Sequence, residues 1–220
     1  MAWQQWLQHP ERSRVREFVF QVHFWIGAIA APYVLFMSLS GAAIVFRNEV
    51  SRRFSLEWLV RFHSELLSGS IGRIANGVGG ICMTLLCLTG AAIWWPGIKH
   101  WRRSLTVSWS AHFPRISWDL HSALGFWCLP FVALWGVSGI YLAVPQPFNV
   151  LFLIDRNDEF TDSALFWLSQ LHFGRFGGLF SEVLWSLMGL VPAVLAFTGV
   201  VVCCRRVFYK KPSNPNASPE

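Results

Sequence analysis

The sequence predicts an all-α integral membrane protein. We expect a four-transmembrane-helix bundle made of two repeated helix–loop–helix units, with both termini in the cytoplasm. Three observations predict this fold: long uncharged runs, a match between the two halves of the chain, and an uneven distribution of basic residues. Of the 220 residues, 54% are hydrophobic and only 14% are charged, whereas soluble domains carry about 25% charged residues.

Four segments contain no Asp, Glu, Lys or Arg. They cover residues 18–46, 74–98, 120–154 and 183–204. A membrane-spanning helix needs about 20 apolar residues, and each segment is long enough. We therefore expect one membrane domain over residues 1–206, with helices at about 18–46, 74–98, 117–144 and 181–204. Residues 47–73 and 145–180 are the predicted outer loops, and the polar, Pro-rich segment 207–220 is a predicted disordered cytoplasmic tail.

The two halves of the chain repeat a pattern. At an offset of 98 residues, His23 matches His121 and Ser40-Gly41 matches Ser138-Gly139. At an offset of 109 residues, His63 matches His172 and Thr89-Gly90 matches Thr198-Gly199. Parallel repeats of this kind pack about an axis along the membrane normal, which places the helices in a bundle with facing side chains at its centre.

Basic residues indicate which side of the membrane each loop occupies. The termini and residues 99–119 together hold eleven Lys and Arg against four Asp and Glu, while the remaining segments hold seven against eight. Lys and Arg stay on the cytoplasmic side of short loops, so both termini are predicted to be cytoplasmic. The net charge of +6 therefore reflects membrane topology, and we expect no nucleic-acid partner.

Four of the seven histidines occupy matching positions of the repeat. His23 and His121 lie near the start of the first and third runs, and His63 and His172 precede the second and fourth runs in amphipathic stretches. One facing pair is therefore expected near each membrane surface. Ionisable residues inside a membrane are costly and usually functional. His9, His100 and His112 have no counterpart and are expected to be solvated loop histidines.

Two imidazoles per site limit the chemistry. Zinc takes four ligands, usually with Cys or carboxylate among them, and proton relays need Asp or Glu, which the helix interiors lack. Haem needs only axial ligands and an apolar cavity. Arg73 and Arg175 could pair with haem propionates on the outer side, and they are equally well explained as ordinary interface arginines. The five cysteines all fall in apolar runs and are expected to be small core residues.

Three stretches carry a family resemblance: "HFWIG…SLSGAAIVF", "FHSELLSGSIGR…LTGAAIWW" and "WDLHSALGFW…SGIYL". They resemble the PepSY-associated transmembrane proteins, an iron-regulated group that includes siderophore reductases, over residues 15–206. The resemblance implies a four-helix core that holds two b-type haems through histidines and passes electrons to ferric siderophores. Larger members carry PepSY domains between the first two helices, where this chain has only residues 47–73.

The sequence thus predicts a di-haem b-type oxidoreductase of the bacterial inner membrane, a ferric-siderophore reductase. His23 and His121 would hold the iron of the inner haem, and His63 and His172 the iron of the outer haem. A cytoplasmic or quinol donor would supply the electrons, and a periplasmic ferric siderophore would accept them. Two alternatives remain open: a haem-free accessory subunit of iron import, and a quinol-linked b-type cytochrome that serves a partner protein.

Overall fold

The computed structural model describes residues 13–47, 55–95, 101–155 and 158–208. These residues form helices and connecting turns, with no strand among them. The helices are α1 (Arg14–Ile44), α2 (Glu57–Glu65), α3 (Gly69–Trp94), α4 (Phe113–Trp127), α5 (Leu129–Ala143), α6 (Pro145–Leu151), α7 (Glu159–Phe173), α8 (Gly178–Gly189) and α9 (Val191–Phe208), with a 3₁₀ turn at Trp101–Leu105. The prediction of an all-α membrane protein is confirmed.

The long helices are apolar enough to cross a membrane. Helix α1, helix α3 and the continuous stretch Gly178–Phe208 each qualify, and α4 with α5 add a fourth crossing if the bent pair counts as one span. Their outward faces carry large exposed apolar side chains, such as Ile29 at 78%, Leu88 at 63% and Phe197 at 57%. In a membrane these faces contact lipid, where apolar side chains carry no penalty.

The observed helices differ from the predicted boundaries. Helix α1 begins at Arg14 and α3 at Gly69, because a helix can continue past the uncharged run: Glu17 lies in the first turn of α1 and Arg73 in the second turn of α3. The fourth run, predicted as one helix over 181–204, consists of α8 and α9, which meet at Leu190. The third apolar run, predicted as one helix over 117–144, is divided at Cys128 into α4 and α5, which meet at 69°. Pro130 lies in the first turn of α5, and a proline there both lacks an N–H and clashes with the preceding turn of a continuous helix.

The helices approach closely where their side chains are small. A methyl group added at Gly80 of α3 would lie 3.0 Å from the carbonyl oxygen of Gly136 in α5. On the other side of the bundle, Ser38 of α1 donates to the carbonyl of Gly189, and its oxygen accepts the N–H of Ala193 at 3.0 Å. Small residues and such hydroxyl bridges are the usual means of helix association in membranes. They bring α1 against α8 and α9, and α3 against α5.

Two short helices cover the end of the bundle that lies near Ile44. Helices α2 and α7 carry His63 and His172 in their last turns. The Asn76 side chain of α3 donates to the carbonyl of His63 at 2.7 Å, and the Trp135 indole of α5 donates to the carbonyl of His172 at 3.3 Å. The backbone of each histidine is thereby fixed to a long helix.

The C-terminal segment and the cysteines were also predicted from the sequence. Residues 207 and 208 belong to α9, and the rest of the predicted tail, residues 209–220, lies outside the described residues. All five cysteines are free, and Cys87 and Cys128 are buried in an apolar cluster with Val132. For those two cysteines the prediction of apolar core residues is confirmed.

Candidate functional site

His23 and His121 face each other between α1 and α4. Their ring centroids are 6.3 Å apart and the ring planes are inclined at 80°. His23 is the tenth residue of α1 and His121 the ninth of α4, so both side chains lie in the third turn of their helices. We call them the inner pair.

His63 and His172 line one cavity at the other end of the bundle. The cavity has a volume of about 340 Å³ and is walled by residues of both halves of the chain, among them Tyr33, Trp135 and Trp185. We call these two histidines the outer pair. Along α1, His23 is seventeen residues from Ser40, which contacts His63. At 1.5 Å per residue this separation is about 25 Å along the helix axis.

Every one of the four histidines contacts a hydroxyl group through its Nδ1 atom. The distances are 2.9 Å from His63 to Ser40 Oγ, 2.7 Å from His172 to Ser138 Oγ, 2.9 Å from His23 to Thr89 Oγ1 and 3.2 Å from His121 to Thr198 Oγ1. The Nδ1 atom of His121 also lies 3.0 Å from the carbonyl oxygen of Leu195. Each contact joins two residues of the same half of the chain.

A glycine follows each of these hydroxyl residues and makes room for the imidazole. An added methyl group would lie 2.9 Å from His63 Cε1 at Gly41, 3.2 Å from His23 Cε1 at Gly90, 3.2 Å from His121 Cε1 at Gly199 and 4.0 Å from His172 Cε1 at Gly139. The dipeptides Ser40-Gly41, Thr89-Gly90, Ser138-Gly139 and Thr198-Gly199, here called the hydroxyl–glycine pairs, therefore hold each ring from one side. The other ring nitrogen, Nε2, takes part in none of the hydrogen bonds found between described residues.

The outer pair is neutral at physiological pH. Burial lowers the pKa of His63 to about 4. Burial, with a smaller contribution from the nearby His63, lowers the pKa of His172 to about 3. Neutral imidazole is the form that binds a metal ion, so no proton has to leave before coordination.

The two predicted arginines occupy different places. Arg175 lines the cavity of the outer pair. Arg73 does not line it; its guanidinium is half exposed and lies 3.5 Å from Glu65 Oε2. Arg47, which the sequence reasoning did not single out, lines the cavity instead. The signal that could have found Arg47 is its position: it is the first charged residue after the first apolar run.

The other histidines take no part in these pairs as far as the structure describes them. His112 is exposed at the start of α4, as expected of a loop histidine. His9 and His100 lie outside the described residues. Within the described ranges, no three His, Cys, Asp or Glu side chains gather in a group that could hold a metal ion. Each histidine pair therefore offers two protein ligands.

The chain is similar in part to a curated bacterial protein. Over 88 residues the chain is 31% identical to an uncharacterized protein of Pseudomonas aeruginosa, a match that covers 39% of this chain and 21% of that protein. The chain thus spans about a fifth of the length of the curated relative that it matches. No solved structure matches the chain.

A family model covers most of the described helices. The model for the PepSY-associated TM region matches residues 51–158 and 153–206, which together exceed half of the chain. The matched residues include His63, His121 and His172, and three of the four hydroxyl–glycine pairs. On this match the chain belongs to the family of the PepSY-associated TM region, a family of membrane proteins.

Proposed function

We propose that this protein is a di-haem b-type oxidoreductase of the bacterial inner membrane. In this proposal it passes electrons across the membrane and reduces a ferric siderophore on the periplasmic side. The observation that carries the proposal is the presence of two histidine pairs, one towards each end of the bundle. In each pair the Nδ1 atoms are bonded within the protein and the Nε2 atoms are left for another ligand.

The spacing of the inner pair would suit two imidazoles that hold one metal ion between them. A metal–imidazole bond is about 2.0–2.1 Å long and the ring centre lies about 1.1 Å beyond the coordinating nitrogen, so the centroids of two such imidazoles would be at most about 6.3 Å apart. The observed centroid separation of His23 and His121 is 6.3 Å. In addition, no further His, Cys, Asp or Glu joins either pair within the described residues, and haem needs no protein ligands beyond the axial ones.

The surroundings of the outer pair also suit haem. The cavity has a mainly apolar wall of aliphatic and aromatic residues and glycines, which would suit a macrocycle, and Arg47 and Arg175 lie on that wall. Guanidinium groups pair well with carboxylates such as haem propionates. In the proposal His63 and His172 hold the outer haem, His23 and His121 hold the inner haem, and Arg73 has no contact with either.

The haem groups would supply reversible one-electron redox chemistry at each end of the bundle. The protein would hold the ligands and place the two sites towards opposite ends of α1, where His23 and Ser40 are about 25 Å apart along the helix axis. Siderophore oxygens are hard ligands that prefer the ferric ion, so reduction weakens the chelate and releases iron. The predicted four spans, cytoplasmic termini and internal repeat are part of this proposal, since they place the outer pair on the periplasmic side.

A haem-free accessory subunit of iron import is the second candidate. In that case each hydrogen bond at Nδ1 would serve only to join the histidine to a neighbouring helix. The absorption spectrum separates the two. Protein produced with ample haem should bind two haems per chain by pyridine haemochrome assay, both low-spin. After dithionite reduction it should be reoxidised by a ferric hydroxamate. Absence of a Soret band would favour the accessory subunit, and reoxidation by a quinone alone would favour the quinol-linked cytochrome.

Alanine variants test the assignment of the ligands. His63→Ala and His172→Ala should each lose about half of the bound haem, because each would remove one of the two histidines that hold the same haem in this proposal. His112→Ala is the matched control, since its side chain is exposed away from both pairs, and should keep two haems. If His63→Ala empties the outer site and His172→Ala leaves it loaded, the pairing of these two histidines is wrong.

A further inference from the structure

The hydroxyl groups of the four hydroxyl–glycine pairs share one geometry. Each also lies close to the carbonyl oxygen of the residue four positions earlier in its own helix. These distances are 2.7 Å from Ser40 to Phe36, 2.6 Å from Thr89 to Leu85, 2.5 Å from Ser138 to Leu134 and 2.7 Å from Thr198 to Val194. A carbonyl oxygen can only accept, so each hydroxyl donates its single hydrogen to the helix backbone.

The histidine must therefore be the donor in the second contact. With its hydrogen committed to the backbone, the hydroxyl oxygen can only accept, and the partner Nδ1 atom must carry a proton. His121 gives independent support, because its Nδ1 atom also faces the carbonyl oxygen of Leu195 at 3.0 Å. A neutral imidazole that is protonated at Nδ1 has its free electron pair on Nε2. All four histidines thus present Nε2 as the coordinating atom.

A bond from a hydroxyl to the preceding helical turn is common by itself. Thr84 of α3 makes the same bond, at 2.9 Å to the carbonyl of Gly80, and no hydrogen bond found between described residues joins it to a histidine. The four hydroxyl–glycine pairs differ from Thr84 because their hydroxyl also contacts the Nδ1 atom of a histidine. This contact occurs at all four matching histidines, in both the inner and the outer pair. A purely structural role of the hydroxyl in the helix does not account for that recurrence.

We propose that Ser40, Thr89, Ser138 and Thr198 are positioning residues that fix the four histidines as Nε2 ligands and set how strongly those ligands donate electrons to iron. This inference rests on the proposed function. A hydroxyl that accepts from Nδ1–H gives the imidazole some imidazolate character and makes Nε2 a stronger donor. A stronger donor stabilises ferric over ferrous iron, so each hydroxyl lowers the midpoint potential of its haem.

The test removes one hydroxyl at a time and keeps the side-chain shape where the chain allows it. Thr89→Val and Ser40→Ala remove an acceptor at the inner and outer pair, and Thr89→Ser restores it. Thr84→Val is the matched control for Thr89→Val, since both threonines lie on α3 and bond to the preceding turn. The measurements are haem affinity, the midpoint potential of each haem, and the low-spin ferric EPR signal of the purified holoprotein.

We expect Thr89→Val to weaken haem binding at the inner pair by about 10- to 100-fold, as is typical when a partner of a metal-bound histidine is lost. The haem that remains should show a more positive midpoint potential and altered EPR g-values. Thr89→Ser should return all three to wild type, and Thr84→Val should change none of them. Ser40→Ala should act in the same way on the outer haem alone.

In Thr198→Val the Leu195 carbonyl remains beside the ring of His121, and in Thr89→Val the Leu86 carbonyl remains beside the ring of His23. The two variants should therefore shift the midpoint potential of the inner haem in the same direction and by similar amounts. Equal potentials in wild type, Thr89→Val and Ser40→Ala, with haem fully bound, would overturn the inference while leaving the proposed function intact. A wild-type protein that binds no haem would instead overturn the proposed function itself. If Thr89→Val does not fold, Thr89→Ala with Thr89→Ser as rescue gives the same comparison.

Discussion

The glycines beside the outer pair differ in the space that they leave, and this difference can be tested. A methyl group added at Gly41 would lie 2.9 Å from Cε1 of His63, whereas one added at Gly139 would lie 4.0 Å from Cε1 of His172. Ordinary van der Waals contact begins at about 3.4 Å. The imidazole of His63 would therefore have to retreat by about 0.5 Å in Gly41→Ala, and that of His172 would not have to move in Gly139→Ala.

A displacement of this size matters at a metal ligand. Bond lengths at a metal site tolerate deviations of about ±0.2 Å, and the bond from His63 to Ser40 prevents the ring from yielding freely. We expect Gly41→Ala to lose the outer haem, so that about half of the total haem remains, while Gly139→Ala keeps both haems. In the proposed function one haem serves both histidines, so the two variants would change the same site by different amounts.

The assay is haem per chain by pyridine haemochrome, measured on protein that elutes as a single species in detergent. Gly90→Ala and Gly199→Ala supply intermediate cases, because their added methyl groups would lie 3.2 Å from the rings of His23 and His121. Haem loss should follow the order of these distances. If Gly41→Ala and Gly139→Ala bind the same amount of haem, the idea that the hydroxyl–glycine pair holds the ring in place is refuted.

Three further predictions concern charged residues. Arg175→Ala should reduce haem affinity at the outer pair, whereas Arg73→Ala, which affects a group half exposed beside Glu65, should leave it unchanged in a haem titration. Asp119→Asn should lower the free energy of unfolding by about 1.5–3 kcal/mol in a denaturant titration, because this carboxylate is 4% exposed and lies 3.0 Å from the Arg115 guanidinium. An unchanged free energy of unfolding would show that this ion pair does not stabilise the protein. A reporter that works only in the cytoplasm should be active when fused after Arg206, and activity of a periplasmic reporter there would reverse the assignment of the two sides.

The helical class of the fold and its membrane character follow from the sequence, because uncharged runs of this length have few other stable forms in a protein. The break at Cys128 could not be located from hydropathy, since the uncharged run continues across it from residue 120 to residue 154. Pro130 was the local signal, and a proline alone does not distinguish a gentle kink from a 69° bend. Bending depends on how α4 and α5 pack against the rest of the bundle.

The candidate site, too, was predictable from the sequence only in part. Matching positions of the repeat identified His23, His63, His121 and His172, and the structure brings the first and third together and places the other two on one cavity. The directions of side chains were not predictable in the same way. Arg73 lies beside Glu65, because the phase of α3 decides which face this residue occupies, and Arg47 lies on the cavity just beyond the end of α1. A run that is apolar on every side carries no periodic signal of that phase.

The two halves of the chain contribute equally to each site. Every histidine is anchored to a hydroxyl of its own half, yet each facing pair takes one histidine from either half. A haem held by one histidine from each half would thus link the two halves across their interface. A ligand that binds only the assembled bundle stabilises the bundle by mass action. Iron-porphyrin supply in the cell would then govern how much of the protein survives quality control, in addition to how much of it is active.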